Sequence, residues 1–135
     1  MDIYKSLDVS AAGMKVQGTR LRVVAENLAN KDSTATKPGD EPYRRKIITF
    51  TDVFNKALGL NVVQVNSIDT DSGEFGKYYA PGHPAADEAG YIQKSNVNAL
   101  IEMADMREAQ RSYEANLKVL QSAKQMLEQT IAILR

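Results

Sequence analysis

Apolar residues recur every seven positions at both ends of the chain, and this repeat constrains the fold more than any other feature. The N-terminal segment carries two such rows, Leu7, Met14, Leu21 and Leu28, and between them Tyr4, Ala11, Gly18 and Ala25. The C-terminal segment carries Met106, Tyr113, Leu120, Leu127 and Leu134. A seven-residue repeat is typical of helices that pack along other helices. It predicts helices over about 3–29 and 98–134, roughly 40 and 55 Å long.

The N-terminal helix is predicted to be weak on its own. Gly13 and Gly18 lie inside it, and each glycine costs a helix about 1 kcal/mol relative to alanine. Gly18 also falls on the apolar seam, where a small residue lets a partner helix approach closely. We therefore expect this helix to become ordered against a partner.

The middle of the chain differs in kind, because all 4 prolines lie there. Residues 44–50 and 61–68 are rich in Val, Ile, Thr and Phe, which predicts two short strands. A short helix is predicted to begin at Thr51 and to stop before Gly59, and a further strand is predicted at 90–93.

The predicted fold is thus mainly α with a small β insert. The long N- and C-terminal helices pack as a coiled-coil-like pair, and short strands or hairpins lie between them. Residues 1–30 and 98–135 form the terminal helical domain, and residues 31–97 form the central insert.

Charge and composition exclude several classes of function. Lys plus Arg equals Asp plus Glu at 17 each, so no field of one sign is available to attract nucleic acid or an acidic membrane. No stretch approaches the roughly 20 apolar residues of a membrane span. The first thirteen residues lack a basic start followed by an apolar run, so we expect no cleaved secretory signal.

Catalytic, cofactor and metal sites are not predicted. His83 is the single histidine and stands between Gly82 and Pro84; a lone loop histidine is usually exposed or hydrogen-bonded rather than catalytic. The stretch "DTDSGE" at 69–74 begins like a calcium loop, but its glycine comes one position early and Ala80 stands where the loop needs glutamate. We expect a solvated turn there, and an absence of enzymatic activity.

The apolar rows permit two interpretations. They form either the inner face of a closed monomeric bundle or a packing face between molecules, and two helices with one small insert leave much of the stripe uncovered. Asn30 also has two interpretations, a left-handed residue that ends the helix or a polar contact to a neighbour. We favour the first for Asn30.

Several short motifs resemble those of bacterial flagellar rod, hook and hook-associated axial proteins. The first helix ends with "NLAN" (Asn27, Leu28, Ala29 and Asn30), and the second opens with "NVN" and runs through "EMADMREAQRSYEANLKVL" at 102–120. In the middle, "PYRRK" at 42–46, "YAPGHPAAD" at 79–87 and "GYIQKSNVN" at 90–98 resemble the proximal rod members of that family.

The resemblance implies a structural subunit of the basal-body rod that serves motility. Such proteins pack their terminal helices around a central export channel, against copies of themselves and adjacent rod proteins. They are delivered unfolded by the flagellar type III export apparatus and assemble in the periplasm without a cleaved signal. The rival hypothesis is a soluble helical-hairpin adaptor or chaperone-like protein. The residues expected to carry helix packing and assembly are Leu7, Met14, Gly18, Leu21, Leu28, Met106, Tyr113, Leu120, Leu127 and Leu134.

Overall fold

Along the chain, a long helix comes first, four strands follow, and a second long helix comes last. The structure, a computed structural model, describes residues 2–134. The elements are α1 (Ile3–Ala29), β1 (Lys46–Asn55), β2 (Leu60–Thr70), β3 (Gly76–Tyr79), β4 (Tyr91–Lys94) and α2 (Ala99–Ile133). The predicted mainly α fold with a small β insert is confirmed, and both predicted helices agree with the observed bounds to within one residue. Within the described residues, neither helix is long and apolar enough to cross a membrane.

The four strands form two separate two-stranded sheets. β1 pairs with β2 and β3 pairs with β4. β3 and β4 are antiparallel, in a register that runs from Gly76 opposite Lys94 to Tyr79 opposite Tyr91. β1 and β2 form a hairpin, because a connection of only four residues joins them. Gly59 closes that turn with a φ of 66°, a conformation that glycine adopts without steric cost.

The predicted short helix from Thr51 is wrong, because β1 continues through this segment to Asn55. This segment is part of the strand that pairs with β2, and just before it the hydroxyl oxygens of Thr49 and Ser67 lie 2.8 Å apart across the two strands. The Asn55 side chain accepts hydrogen bonds from the backbone N–H groups of Ala57 and Leu58 and so organises the turn. β3 was not predicted, since a run of four residues gives almost no periodic signal.

The chain divides into two compact units, and each unit takes part of both helices. The first comprises Met1–Leu21, Thr49–Ser67 and Arg107–Arg135, and the second comprises Arg22–Ile48 and Ile68–Met106. The grouping of 1–30 with 98–135 as one helical domain remains a prediction about the assembled protein.

In the first unit, α1 and α2 run antiparallel and approach closely at Gly13. A Cβ atom at Gly13 would lie 2.7 Å from the side-chain nitrogen of Asn116, and Arg20 donates to Glu108 at 3.2 Å. The earlier α1 residue, Gly13, thus contacts the later α2 residue, Asn116, and Arg20 contacts the earlier Glu108, which is the order expected of antiparallel helices. The helices therefore meet, but coiled-coil-like pairing remains a prediction.

Each unit has a small core of mostly short side chains. In the first unit the buried hydrophobic residues are Val16, Val62, Ala109 and Ala123, and in the second they are Val23, Val24, Ala35, Ala85 and Ile92. Val and Ala bury little apolar area each, so each core alone supplies limited hydrophobic stabilisation.

Candidate assembly site

The Asn27 side chain joins three segments of the second unit. It is 1% exposed. Its oxygen accepts hydrogen bonds from the Tyr43 hydroxyl at 2.8 Å and from the Lys46 backbone N–H at 2.9 Å. Its amide nitrogen donates to the Lys46 carbonyl at 2.9 Å and to Glu102 Oε2 at 3.0 Å. All four hydrogen-bonding positions of the amide are therefore used, and they link the end of α1, the start of β1 and the first turn of α2.

Glu102 is fully buried beside Asn27, with an exposure of 0%. Its other carboxylate oxygen accepts a hydrogen bond from Arg45 Nε. The Arg45 guanidinium also lies 3.6 Å from the carboxylates of Asp71 and Asp105. A buried carboxylate requires such charge-assisted partners, since an unpaired one carries a large desolvation cost.

The same environment shifts the pKa of Arg45. Burial alone disfavours the charged guanidinium, but its hydrogen bond to Glu102 and the nearby Asp71 and Asp105 carboxylates outweigh burial and raise the pKa. We call the set Asn27, Tyr43, Arg45, Lys46 and Glu102 the polar junction.

Two further motif residues attach a turn to the polar junction. Asn96 accepts a hydrogen bond from the Arg45 backbone N–H at 2.7 Å, and its amide faces the carbonyls of Asp71 and Gly73 at 3.3 Å each. Arg44 donates to the same two carbonyls at 3.0 Å. The "PYRRK" and "NVN" motifs thus hold one turn between them.

Asn30 ends α1 by a different route from the one predicted. Its side-chain nitrogen donates to the Glu26 carbonyl at 2.8 Å, and its backbone N–H faces the carbonyls of Glu26 and Asn27. No non-glycine residue in the described range has a positive φ. The left-handed explanation is therefore wrong, and the side-chain amide caps the Glu26 carbonyl instead. Within the same motif, Leu28 is half-buried and Ala29 is exposed.

His83 and the 69–74 stretch have structural contacts. His83 Nδ1 accepts a hydrogen bond from the Ala85 N–H at 3.0 Å, and Nε2 lies 3.3 Å from the Thr34 hydroxyl. The Asp71 carboxylate accepts from the Gly73 N–H at 2.8 Å, which makes a local turn. Across residues 2–134, no group of three or more His, Asp or Glu side chains is placed to hold a metal ion.

None of the ten predicted assembly residues is buried in the subunit. Half-buried are Leu7, Met14, Gly18, Leu21, Leu28, Met106, Tyr113, Leu120 and Leu127, whereas Leu134 follows α2 and is 81% exposed. A Cβ atom at Gly18 would meet nothing within 4 Å. The glycine at which α1 and α2 approach closely is therefore Gly13, not Gly18.

The fully buried helix positions are largely small or polar. They are Ser10, Val16, Val23, Val24 and Asn27 in α1, and Glu102, Ala109 and Ala123 in α2. A search for apolar repeats passes over Ser10, Asn27 and Glu102. One signal for the buried face was available in the sequence. Small or polar residues recur at helical spacings of three and four, at Ser10, Gly13 and Gln17.

Comparison with known proteins identifies the family. Residues 88–133 match the family described as flagellar basal body rod FlgEFG protein C-terminal. The chain is 47% identical to the flagellar basal-body rod protein FlgC of Agrobacterium fabrum, over 94% of this chain and 91% of that protein. It is 36% identical to the FlgC of Bacillus subtilis, over 98% and 99%, and 35% identical to that of Salmonella typhimurium, over 98% and 98%. This chain belongs to the FlgC family.

Membership of the FlgC family makes the chain a structural subunit of the flagellar basal-body rod, not an enzyme. The resemblance found in the sequence is confirmed, and the adaptor hypothesis is not favoured. In this FlgC chain, the "NLAN" and "PYRRK" motifs have a structural role. Asn27 of the first motif and Arg45 of the second both donate hydrogen bonds to the buried Glu102 carboxylate.

Replacing Asn27 by Asp tests the polar junction. The change removes both amide donors and sets a second carboxylate against Glu102, so we expect a loss of about 3–5 kcal/mol in the free energy of unfolding. Urea denaturation followed by circular dichroism measures it.

Asn30→Asp is the matched control, since it makes the same chemical change where only one hydrogen bond, to the Glu26 carbonyl, is lost. It should cost about 0.5–1.5 kcal/mol. Equal losses in the free energy of unfolding for the two variants would show that the polar junction stabilises the fold no more than the Asn30 cap does.

Tyr43 provides a pH-dependent test. Burial, followed by the charges of Glu26 and Glu102, raises the pKa of Tyr43 from its ordinary value of 10.0 to about 12. The folded state thus favours the neutral phenol, and this stabilisation is present below pH 10 and is lost as pH rises through about 12. In ultraviolet titration of phenolate, one of the 6 tyrosines should ionise late, and Tyr43→Phe should abolish that late step. A late step that persists in the variant would assign the shift to another tyrosine.

Proposed function

We propose that this chain is a subunit of the proximal rod and assembles by packing its terminal helices against neighbouring rod subunits around the export channel. The supporting observation is that the subunit buries small and polar faces of its helices while apolar side chains remain outside. On α2, Val119, Met126 and Ile133 are 45%, 49% and 84% exposed. Apolar surface of this kind marks interaction sites in soluble proteins.

The energy available from such packing is large on the scale of protein stability. Fully burying one Val, Ile or Met side chain contributes about 1.5–3 kcal/mol, and a whole folded domain has a net stability of only about 5–15 kcal/mol. Covering these residues in each subunit would therefore contribute a substantial part of the free energy of assembly. Copies of this chain and adjacent rod proteins are the proposed partners.

We further propose delivery by the flagellar type III export apparatus, without a cleaved signal, followed by assembly in the periplasm. Two features support a chain that is readily unfolded for export: α1 contains Gly13 and Gly18, and the cores consist mostly of Val and Ala. Assembly then supplies the contacts that complete folding.

Replacing Gly18 by Leu tests this function. A Cβ atom at Gly18 meets nothing within the subunit, so the isolated variant should fold and gain helicity, since glycine disfavours helix by about 1 kcal/mol. In the rod the added side chain should clash with the neighbouring helix and abolish motility. Circular dichroism of the free protein and swimming of cells carrying the variant measure the two effects.

Two matched variants sharpen the result. Gly18→Ala should be better tolerated in swimming. Gly13→Leu should instead destabilise the isolated subunit, because its side chain would collide with Asn116. Normal swimming with Gly18→Leu would show that this face of α1 is not packed in the rod.

A further inference from the structure

One buried polar atom in the first unit has no hydrogen-bond partner. It is the side-chain carbonyl oxygen of Gln17, on α1. The residue as a whole is half-buried, but this oxygen is closed off from solvent. Within residues 2–134, no other buried side-chain nitrogen or oxygen is left in this state. Such groups are rare in folded proteins, and each one calls for an explanation.

Gln17 belongs to the contact between α1 and α2. Gly13, four residues before it, approaches the side chain of Asn116. Arg20, three residues after it, donates to Glu108 at 3.2 Å. Positions three and four apart share one face of a helix, so Gln17 lies on the face of α1 that meets α2.

The unpaired oxygen opposes folding of the first unit. In the unfolded chain water hydrogen-bonds to it, whereas in the folded contact no group of the described chain does, so its desolvation is not offset. The amide of Asn116 is directed elsewhere, because its nitrogen donates to the Ser112 carbonyl at 3.0 Å on the same helix. The small core of short side chains in this unit has little apolar area with which to outweigh the cost.

The second unit contains the opposite arrangement. The buried Asn27 amide uses all four of its hydrogen-bonding positions, and the buried Glu102 carboxylate accepts from Asn27 and Arg45. Buried polar groups are thus satisfied in the second unit, and one is unsatisfied in the first. Parts of a protein that are held less strongly open locally at a lower free energy than the rest.

We infer that Gln17 destabilises the α1–α2 contact, so that the first unit opens more readily than the second, and that this sets how easily the folded chain is unfolded for export. The statement about opening rests on the Gln17 oxygen and its surroundings. The statement about export rests on the proposed function, in which a chain delivered unfolded must first open its folded units. Gln17 is then a residue that limits the stability of the free subunit.

Replacing Gln17 by Met tests the opening. Methionine has nearly the same length and helix propensity as glutamine, but it has no amide oxygen to leave unpaired. Amide hydrogen exchange of the isolated full-length protein measures the opening of each unit separately. We expect protection within 3–21 and 107–134, the helical parts of the first unit, to rise roughly tenfold. Protection within the second unit should not change.

Gln110→Met is the matched control, because Gln110 is exposed on α2 in the same unit. The chemical change is identical but relieves no buried atom, so hydrogen exchange should stay as it is. If Gln17→Met leaves protection of the first unit unchanged or lowers it, the Gln17 oxygen has a partner in solution and the inference is wrong. An equal gain in the two variants would also overturn it, since methionine would then stabilise the helices irrespective of position.

Secretion tests the consequence for export. In cells whose only copy is Gln17→Met, immunoblotting should find several-fold less of the protein outside the cytoplasm than with the unsubstituted chain. Adding Val16→Ala, which removes buried apolar contact from the same unit, should restore secretion. Unchanged secretion of a stabilised Gln17→Met would overturn the link to export. If the unsubstituted chain is not secreted either, the proposed delivery is wrong, and hydrogen exchange still decides the role of Gln17.

Discussion

The buried contact between the Asn27 amide and the Glu102 carboxylate is the interaction that holds the end of α1 and the first turn of α2 together in the second unit. These residues are 75 positions apart in the sequence, and neither tolerates burial without a partner. Asn27 also binds both backbone groups of Lys46, so the first strand is fixed at the same place. The polar junction therefore defines where α1 ends, where β1 starts and where α2 begins.

In the first unit, small residues occupy the helix contact while larger apolar residues stay exposed. Close contact between α1 and α2 in the first unit depends on Gly13 and Asn116, and the buried α2 positions include Ala109 and Ala123. Small residues let the helices approach but bury little apolar area. Larger side chains such as Met126 and Ile133 stay exposed on the subunit, and the proposed packing in the rod would cover them.

The sequence predicted the helices well because a seven-residue repeat over 27 and 35 residues is a strong signal. It predicted the strands less well, because pairing with β2 overrides the helical tendency of the segment after Thr51. It missed the polar junction, since Tyr43, Arg45 and Glu102 are brought to Asn27 only by the tertiary fold. The close helix approach at Gly18 stays a prediction about the rod, whereas within the subunit the close approach is at Gly13, in a row with Ser10 that a search for large apolar residues passes over.

Methionine oxidation tests the central claim, that apolar helix faces left outside in the subunit are covered in the rod. Met126 is 49% exposed and Met14 is half-buried in the subunit, and exposed methionines oxidise readily. Peroxide treatment of the isolated protein and of intact basal bodies, followed by mass spectrometry, compares the two states. We expect both methionines to oxidise several-fold more slowly in the basal body, with the larger change at Met126. Equal oxidation of Met126 in the two states would contradict the central claim.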